Sequence, residues 1–351
     1  MSGVAIHPTD PNTVVVTSFL GEGLYKTTDG GANWVSIRGT IPDTFNNAVA
    51  IDPSNPSRMY VAACQPGGIY RSSDGGATWS ATSVLGQCMN AVVVDPAGVV
   101  YAGGFDGQGL HKSTDGGQTW SSYSVGGSFS VGVLAVDPNN PSILYAEADA
   151  GVSKSLDAGV TWNVTGLSTG DAFDDSLAVD PNNSQIVYAV NSGQLKMTTN
   201  GGASWNTITN LGISVNGAPT AVMIAPTSPS TVFVGSTTDG VLKSTDNGAN
   251  WSHISGSTDD VSAMAFAPSN NAIAYVGLLS GADAFVTKLD PSGSSILYST
   301  YLGAGWLGEM GPKTITRSRW SLTRAAMLTL PAVRPRVIFR RRTRCSHSAG
   351  Q

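Results

Sequence analysis

The sequence predicts an all-β protein, a β-propeller of about seven four-stranded antiparallel blades. An eight-residue motif occurs six times, with spacings of 45, 41, 42, 43 and 46 residues between the anchor positions Asp29, Asp74, Asp115, Asp157, Asn200 and Asp246. Such a period matches one propeller blade. Gly (42) and Pro (18) are abundant and charged residues make up only 12%, which favours short strands and tight turns over helices.

Each repeat begins with an apolar or alternating strand that ends at a turn residue. Examples are the segments 48–53, 91–96, 134–138 and 177–181, which all end in Asp-Pro. We interpret this segment as the innermost strand of a blade. A second strand follows, as at 59–62, 143–146, 186–189 and 232–235. A third strand, as at 68–71, 109–112 and 240–243, leads into the motif, and the Trp of the motif begins the fourth.

The motif predicts a folded hairpin turn with a structural role. Its Ser or Thr hydroxyl and its Asp carboxylate accept backbone N–H groups, Gly permits positive φ, and Trp packs beside the strands. The anchor and Trp positions of the six copies are Asp29, Trp34, Asp74, Trp79, Asp115, Trp120, Asp157, Trp162, Asn200, Trp205, Asp246 and Trp251.

These residues resemble the Asp-box (BNR repeat), Ser-x-Asp-x-Gly-x-Thr-Trp, of sialidases, sortilin-type propellers, xyloglucanases and a photosystem assembly factor. The resemblance covers roughly residues 4–255, with Asn200 in place of Asp and Asn33 and Asn250 in place of Thr. It implies that the box lies on the rim away from the catalytic face. The box therefore brings no activity with it.

A seventh blade is predicted at about 256–304, although the motif is absent there. Strand-like segments continue at 263–268 and 273–277, and residues 284–303 are similar to another bacterial β-propeller repeat rich in Asp-Pro-x-Gly hairpins. The propeller is thus expected to span residues 1–304.

Residues 305–351 differ sharply in charge from the rest of the chain. They carry ten Lys/Arg and one acid, or +9, whereas residues 1–304 carry nine Lys/Arg and 23 acids, or −14. One interpretation is a basic arm for nucleic acid or another anionic surface. The other is out-of-frame translation, which predicts a disordered or loosely packed tail. The acidic repeat region makes nucleic acid an improbable partner for the propeller.

Several chemistries find no support in the sequence. A sialidase needs an arginine triad, and the repeat region has only Arg38, Arg58 and Arg71, all in the first two blades. No metal-ligand spacing, calcium loop or phosphate loop is present, so neither a metal nor a cofactor is predicted. Cys64 and Cys88 are either unrelated small residues or a disulfide within the second blade.

Acidic and aromatic residues are predicted on the propeller face opposite the motif, where the second-to-third-strand turns and the connections between blades meet. The ligand-binding candidates are Glu22, Phe45, Phe105, Asp106, Glu147, Asp149, Phe173 and Asp239. Asp171, Asp259 and Asp260 belong to the same loops. Asp174 and Asp175 are the alternative catalytic pair, because glycoside hydrolysis needs two facing carboxylates. The resemblance to xyloglucanases implies a first-blade Asp, which residues 15–22 lack.

The function expected from these observations is a non-enzymatic module that binds a carbohydrate, a cell-surface polymer or a protein. The alternative is a xyloglucanase-like glycoside hydrolase. A monomer without a membrane span is expected, since the longest apolar runs are too short to cross a bilayer. An extracellular or cell-surface location is expected, although the first residues lack a secretory signal.

Overall fold

The computed structural model describes residues 3–18, 23–42, 45–64, 67–105, 109–127, 130–168, 176–254, 260–268, 270–280, 283–290, 293–302 and 314–315. Within these ranges all regular secondary structure is β-strand, and the strands form seven antiparallel sheets. The predicted all-β, seven-bladed propeller is thereby confirmed. This part of the chain contains no helix that is long and apolar enough to span a membrane.

The first four blades each contain four strands. Blade 1 comprises β1 (Gly3–Ile6), β2 (Val14–Ser18), β3 (Gly23–Thr27) and β4 (Val35–Ser36). Blade 2 comprises β5 (Phe45–Ile51), β6 (Met59–Cys64), β7 (Gly68–Ser72) and β8 (Ser80–Leu85). Blade 3 comprises β9 (Met89–Val94), β10 (Val100–Gly104), β11 (Leu110–Ser113) and β12 (Ser121–Tyr123). Blade 4 comprises β13 (Val131–Val136), β14 (Leu144–Ala148), β15 (Gly151–Ser155) and β16 (Asn163–Val164).

The last three blades continue the pattern, and the seventh has a fifth strand. Blade 5 comprises β17 (Ser176–Asp180), β18 (Asn183–Asn191), β19 (Gln194–Thr198) and β20 (Asn206–Ile208). Blade 6 comprises β21 (Pro219–Ile224), β22 (Val232–Ser236), β23 (Val241–Ser244) and β24 (Ser252–His253). Blade 7 comprises β25 (Asp260–Ala267), β26 (Asn270–Ser280), β27 (Asp283–Leu289), β28 (Ile296–Leu302) and β29 (Thr314–Ile315).

The fifth strand of blade 7 comes from the segment predicted as the basic tail. Thr314 and Ile315 pair with Thr300 and Ser299 on the outer edge of β28. The rest of the predicted tail lies outside the described residues. A different turn replaces the motif in blade 7, where the Asp290 carboxylate accepts the backbone N–H groups of Ser294 and Ser295.

The hydrophobic core lies between blades. In each blade the strands pair in sequence order. One face of each sheet packs on the preceding blade and the other face packs on the following blade. The described residues form a buried cluster at every one of the seven interfaces. At the seam that closes the ring, Ile6 and Val14 of blade 1 pack with Tyr275 and Val286 of blade 7. Because the described strands include none shared between blades 1 and 7, side-chain contacts close the ring.

Six of the seven interfaces contain an aromatic side chain from the second strand of a blade. These side chains are at most 3% exposed, and they are Tyr60, Tyr101, Tyr145, Tyr188, Phe233 and Tyr275. The ring of Tyr145 packs against the next blade's turn at Gly202, whose φ of +96° suits a residue without a Cβ. Lys154 places its ammonium 5.2 Å from the centre of the Tyr145 ring and donates to the carbonyl of Gly201. Ring and lysine together join blade 4 to blade 5.

Candidate functional site

The strand order gives the propeller two distinct faces. We call the face that carries the six motif turns the turn face. The opposite face, which carries the second-to-third-strand turns and the connections between blades, is called the loop face. All candidate ligand-binding residues were predicted on the loop face.

The six motif turns repeat the same pattern of hydrogen bonds. In blade 2 the Ser72 hydroxyl donates to Asp74 Oδ1 (2.8 Å) and accepts the N–H of Gly76 (2.9 Å). The Asp74 carboxylate accepts both the N–H and the hydroxyl of Thr78, at 2.8 and 2.6 Å. Each carboxylate is thus occupied in holding its own hairpin, which is a structural role.

The departures from the repeated pattern keep this network by exchanging donors. Asn33 and Asn250 replace threonine, and each donates its side-chain amide to the Asp carboxylate at 2.7 Å. Asn200 replaces aspartate and reverses the bond, since its amide donates to the hydroxyl of Ser204 at 2.8 Å. The turn geometry therefore survives the loss of the negative charge.

Hydrogen bonds lower the pKa of the motif carboxylates from 3.8. The side chain and N–H of Thr78 are the largest influences on Asp74 and lower its pKa to about 2. Thr161 does the same for Asp157. These groups are exposed, so solvent screens their energetic contribution.

Acid is expected to destabilise the protein through these turns. A lowered pKa in the folded state means that the stabilisation is complete above the unfolded value, near pH 4, and is lost as the pH falls towards 2. In Asp74→Asn, thermal midpoints measured between pH 5 and 2 should depend less steeply on pH than in the wild type. An identical dependence would contradict the assignment. The natural Asn200 turn is the precedent for the substitution.

The motif tryptophans pack beside these turns to different extents. Trp34 and Trp79 are buried, whereas Trp120, Trp162, Trp205 and Trp251 are half-buried. The indole N–H of Trp79 donates to the carbonyl of Ile37 in the preceding blade at 2.7 Å. The tryptophans thus support the outer part of the interfaces.

The structure describes three of the candidate acids, one within a strand and two in loop contacts. Glu147 lies in β14 and is buried, with 2% of its surface exposed. Asp149 accepts the N–H of Ser130 at 3.2 Å. Asp239 accepts both the N–H and the hydroxyl of Ser214, at 3.1 and 2.8 Å. The two aspartates therefore tie a turn to the connection that precedes the same blade.

The pKa of Asp239 follows from its contacts. The hydroxyl of Thr238 donates to the carboxylate at 2.7 Å and is the largest influence, and bonds from Ser214 add to it. Together they lower the pKa of Asp239. A general acid in glycoside hydrolysis needs a raised pKa, so Asp239 is set up to remain an anion.

A disulfide decides between the two alternatives for the cysteines of the repeat region. Cys64 ends β6 of blade 2 and is bonded to Cys88, which directly precedes β9 of blade 3. The bridge therefore joins two blades at the loop face instead of lying within the second blade. Phe105 donates its N–H to the carbonyl of Cys88 at 2.9 Å, and Phe45 begins β5, paired with Cys64. The backbones of the two aromatic candidates therefore lie next to the two bridged cysteines.

The remaining candidates lie outside the described residues, and they are Glu22, Asp106, Asp171, Phe173, Asp174, Asp175 and Asp259. Asp260 begins β25.

Sequence reasoning missed a set of β-bulges where the innermost strands begin at the loop face. The bulged positions are Asn47, Asn90, Gly132, Thr220 and Ser262. Asn47 donates its amide to the carbonyl of Met89 in the next blade at 2.8 Å, and Thr220 donates its hydroxyl to Val261 at 2.7 Å. A polar residue followed by Ala-Val, as at 47–49, 90–92 and 220–222, is the signal that marks these bulges.

A shallow cleft of about 370 Å³ opens on the loop face beside blade 5. Gln194 lies at the turn between β18 and β19, and Thr209 follows the last strand of that blade. Leu211 and Ile213 contribute an apolar wall. Among the described residues, no charged side chain lines this cleft. In the part of the chain that the structure describes, no group of His, Cys, Asp and Glu is arranged to hold a metal ion.

No model of a protein family matches the chain, nor does any curated protein. Solved structures share its fold. A GH74 xyloglucanase from Xanthomonas campestris has a TM-score of 0.66 and 18% identity, over 82% of this chain and 51% of the enzyme. YCF48 from Cyanidioschyzon merolae has a TM-score of 0.60 and 15% identity, over 78% of this chain and 91% of YCF48.

A third similar structure is virginiamycin B lyase from Staphylococcus aureus, with a TM-score of 0.62 and 12% identity, over 79% of this chain and 90% of the lyase. The chain spans about half the length of the GH74 enzymes. One structure of YCF48 contains a D1 peptide. Similarity at these identities shows the propeller fold alone, which serves enzymes and peptide-binding proteins alike.

Proposed function

We propose that this propeller is a non-enzymatic binding and scaffolding module whose loop face holds a neutral polysaccharide. The observation that carries the proposal is how the acidic side chains of the loop face are bonded and buried. The carboxylates of Asp149 and Asp239 tie loops together, and Glu147 is buried in the sheet. A surface that holds its own loops rigidly is suited to binding, because less order is lost when a ligand docks.

The chemistry of the cleft supports a neutral polyhydroxylated ligand. Gln194, Thr207 and Thr209 offer amide and hydroxyl groups, which both donate and accept hydrogen bonds. Leu211 and Ile213 offer apolar surface for the C–H face of a sugar ring. An open cleft admits an extended chain, whereas a small molecule is usually held in a deeper pocket.

The disulfide supports the proposed extracellular or cell-surface location. Such bonds persist in oxidising compartments and are rare in the cytosol. A cell-surface polymer is the natural ligand class for a module in that compartment. The proposed module needs no cofactor and acts as a monomer.

A glycoside hydrolase is the second candidate, favoured by the structural similarity to a GH74 xyloglucanase over 82% of this chain. Hydrolysis requires an acid and a base or nucleophile on opposite sides of the scissile bond. Asp174 and Asp175 are the residues proposed for that pair. Substitution of these two residues distinguishes the two functions, because it abolishes hydrolysis by an enzyme but leaves ligand retention by a binding module intact.

The two functions are distinguished by incubating the full chain with plant and bacterial polysaccharides, xyloglucan among them. Retention of each polymer and release of reducing ends are followed in the same samples. We expect retention without release. Release that disappears in Asp174→Asn or Asp175→Asn would establish the hydrolase and overturn the binding module.

A matched pair of variants locates the binding surface. Thr209→Trp fills the loop-face cleft, while Ala77→Trp adds the same side chain at an exposed position of the turn face. Retention should fall at least about tenfold in Thr209→Trp, equivalent to about 1.4 kcal/mol of binding free energy, and stay unchanged in Ala77→Trp. Equal retention by both variants would contradict the cleft assignment. Retention of no polymer would redirect the proposal to a protein partner.

A further inference from the structure

Blade 1 carries a histidine where the next four blades carry a buried aspartate. The position begins the turn between the first and second strands of a blade. It is occupied by Asp52, Asp95, Asp137 and Asp180 in blades 2 to 5, by His7 in blade 1 and by alanine in blades 6 and 7. The four aspartates are at most 4% exposed. An imidazole thus replaces a repeated buried carboxylate.

His7 copies one half of the bonding of the aspartate and reverses the other half. Asp52 Oδ1 accepts the N–H groups of Ser54 and Asn55, at 2.8 and 3.1 Å. Asp52 Oδ2 lies 3.1 Å from Arg58 Nε. In blade 1 the His7 Nδ1 accepts the N–H groups two and three residues further on, at 3.3 and 3.1 Å. Because Nδ1 accepts, the neutral imidazole carries its hydrogen on Nε2. His7 therefore offers an N–H donor where aspartate offers a second acceptor.

Lys26 of blade 1 corresponds to Lys154 of blade 4. Lys26 donates to the carbonyl of Gly75 in the next blade at 2.8 Å, and Lys154 makes the equivalent bond at 3.0 Å. Burial lowers the pKa of Lys154, and the negative charge of Asp137 counteracts this effect. Lys26 instead shares a groove wall with His7. Blade 1 thus keeps the cation of this arrangement and replaces its anion with a donor.

A groove of about 430 Å³ lies between blades 1 and 2 and opens on the turn face. Lys26, His7 and Ser57 form its polar wall, and Pro56 and Met59 form its apolar wall. Among the described residues, no acidic side chain lines the groove. The groove therefore combines ammonium, imidazole and hydroxyl donors with a small apolar surface, which suits an anion with a short aliphatic part.

The acids of the flanking turns are hydrogen-bonded within those turns. Asp10 accepts the hydroxyl of Thr13 at 2.6 Å and the N–H of Asn12 at 3.1 Å. Asp29 and Asp74 each accept a backbone N–H group of their own motif turn at 2.8 Å. These carboxylates thus serve the turns of blades 1 and 2.

We propose that this groove binds a small aliphatic carboxylate, at a site separate from the loop-face cleft. One carboxylate oxygen accepts from the Lys26 ammonium and the other from the N–H of His7 Nε2, while the aliphatic part packs on Pro56 and Met59. Hydrogen bonds between ionised groups are roughly twice as strong as those between neutral groups. The ligand supplies the negative charge that aspartate supplies in blades 2 to 5. Because its partners come from two blades, binding stabilises their interface.

The proposal is tested with butyrate and with butyramide, a neutral amide of almost the same shape. Calorimetric titrations of the full chain are made with both compounds at the same ionic strength. We expect butyrate to bind at least about tenfold more tightly than butyramide, because only butyrate carries a charge. Butyrate should also raise the thermal midpoint in a concentration-dependent manner. Equal binding of the two compounds, or binding of neither, would overturn the proposal.

Two variants assign the binding to this groove. His7→Asp introduces the residue of blades 2 to 5, which accepts the same backbone N–H groups, and should abolish butyrate binding by placing a carboxylate at the site. Lys26→Met introduces the residue that blade 5 has at the same position, Met197, and should weaken butyrate binding at least about tenfold. Each variant keeps the test decisive should the other fail to fold.

Lys112→Met is the matched control, because it removes the corresponding lysine of blade 3, where Asp95 is present. This variant should bind butyrate as the wild type does. Polysaccharide retention should be unchanged in all three variants, since the cleft lies on the other face. Wild-type butyrate affinity in folded His7→Asp or Lys26→Met, or an equal loss in Lys112→Met, would overturn the assignment.

Discussion

Tyr145→Ala is expected to lower the free energy of unfolding by about 3 to 5 kcal/mol, the usual cost of removing a buried aromatic side chain. The Tyr145 ring is fully buried between blades 4 and 5, so its removal leaves a cavity between two sheets. The substitution also removes the surface under the Lys154 ammonium. Urea unfolding of the full chain measures the effect.

Two tyrosine-to-phenylalanine variants separate the ring from its hydroxyl. The Tyr145 hydroxyl has no hydrogen-bond partner in the described structure, so Tyr145→Phe should leave stability nearly unchanged. The Tyr188 hydroxyl donates to the carbonyl of Asn247 at 3.0 Å, and Tyr188→Phe should cost about 0.5 to 1.5 kcal/mol. Val164→Ala, at an exposed position of β16, is the surface control. A loss in Tyr145→Ala no larger than this control would refute the role of the ring.

Removal of the Cys64–Cys88 disulfide should cost about 3 kcal/mol, because the bond closes a loop of 24 residues' separation and restricts the unfolded chain. Its position adds a second effect. The bridge spans blades 2 and 3 where the loop face begins, so its loss also releases the start of the innermost strand of blade 3. The unfolding midpoint measured with and without a thiol reductant tests this expectation.

The double variant Cys64→Ser/Cys88→Ser is the control for the disulfide prediction. It should unfold at the midpoint of the reduced wild type and should not respond to reductant. A wild-type midpoint that is insensitive to complete reduction would show that the bridge contributes nothing to stability. Loss of polysaccharide retention on reduction would additionally connect this part of the loop face to binding.

Much of the fold was predictable because its units repeat. The spacing of the six anchors predicted the blades, and the Asp-Pro segments predicted the innermost strands. The aromatic residue of the second strand was visible at Tyr60, Tyr145 and Tyr188 as part of a strand pattern. Its position between blades was not, because a period of two residues shows that alternate side chains share a face but not which neighbour that face meets.

The candidate site was less predictable because loop residues follow no period. Glu147 stands next to a turn in the sequence, yet it lies within β14, where every residue is buried. The bulge at Asn47 was missed because an added residue breaks the alternation on which strand prediction depends. The spacing of Cys64 and Cys88 was compatible with either a bridge or two thiols, so three-dimensional proximity had to decide.

The closing seam gives the chain an uneven topology. Pro11 meets Tyr275 and Gly31 meets Thr300 across separations of 264 and 269 residues, whereas every other interface joins blades that are consecutive in sequence. The entropic cost of bringing two chain positions together grows with the length between them. Six interfaces can therefore form one after another between consecutive blades, while the seventh forms only when the two ends of the blade series come together. If the ring opens, it can open at the interface between blades 7 and 1 without breaking any sheet.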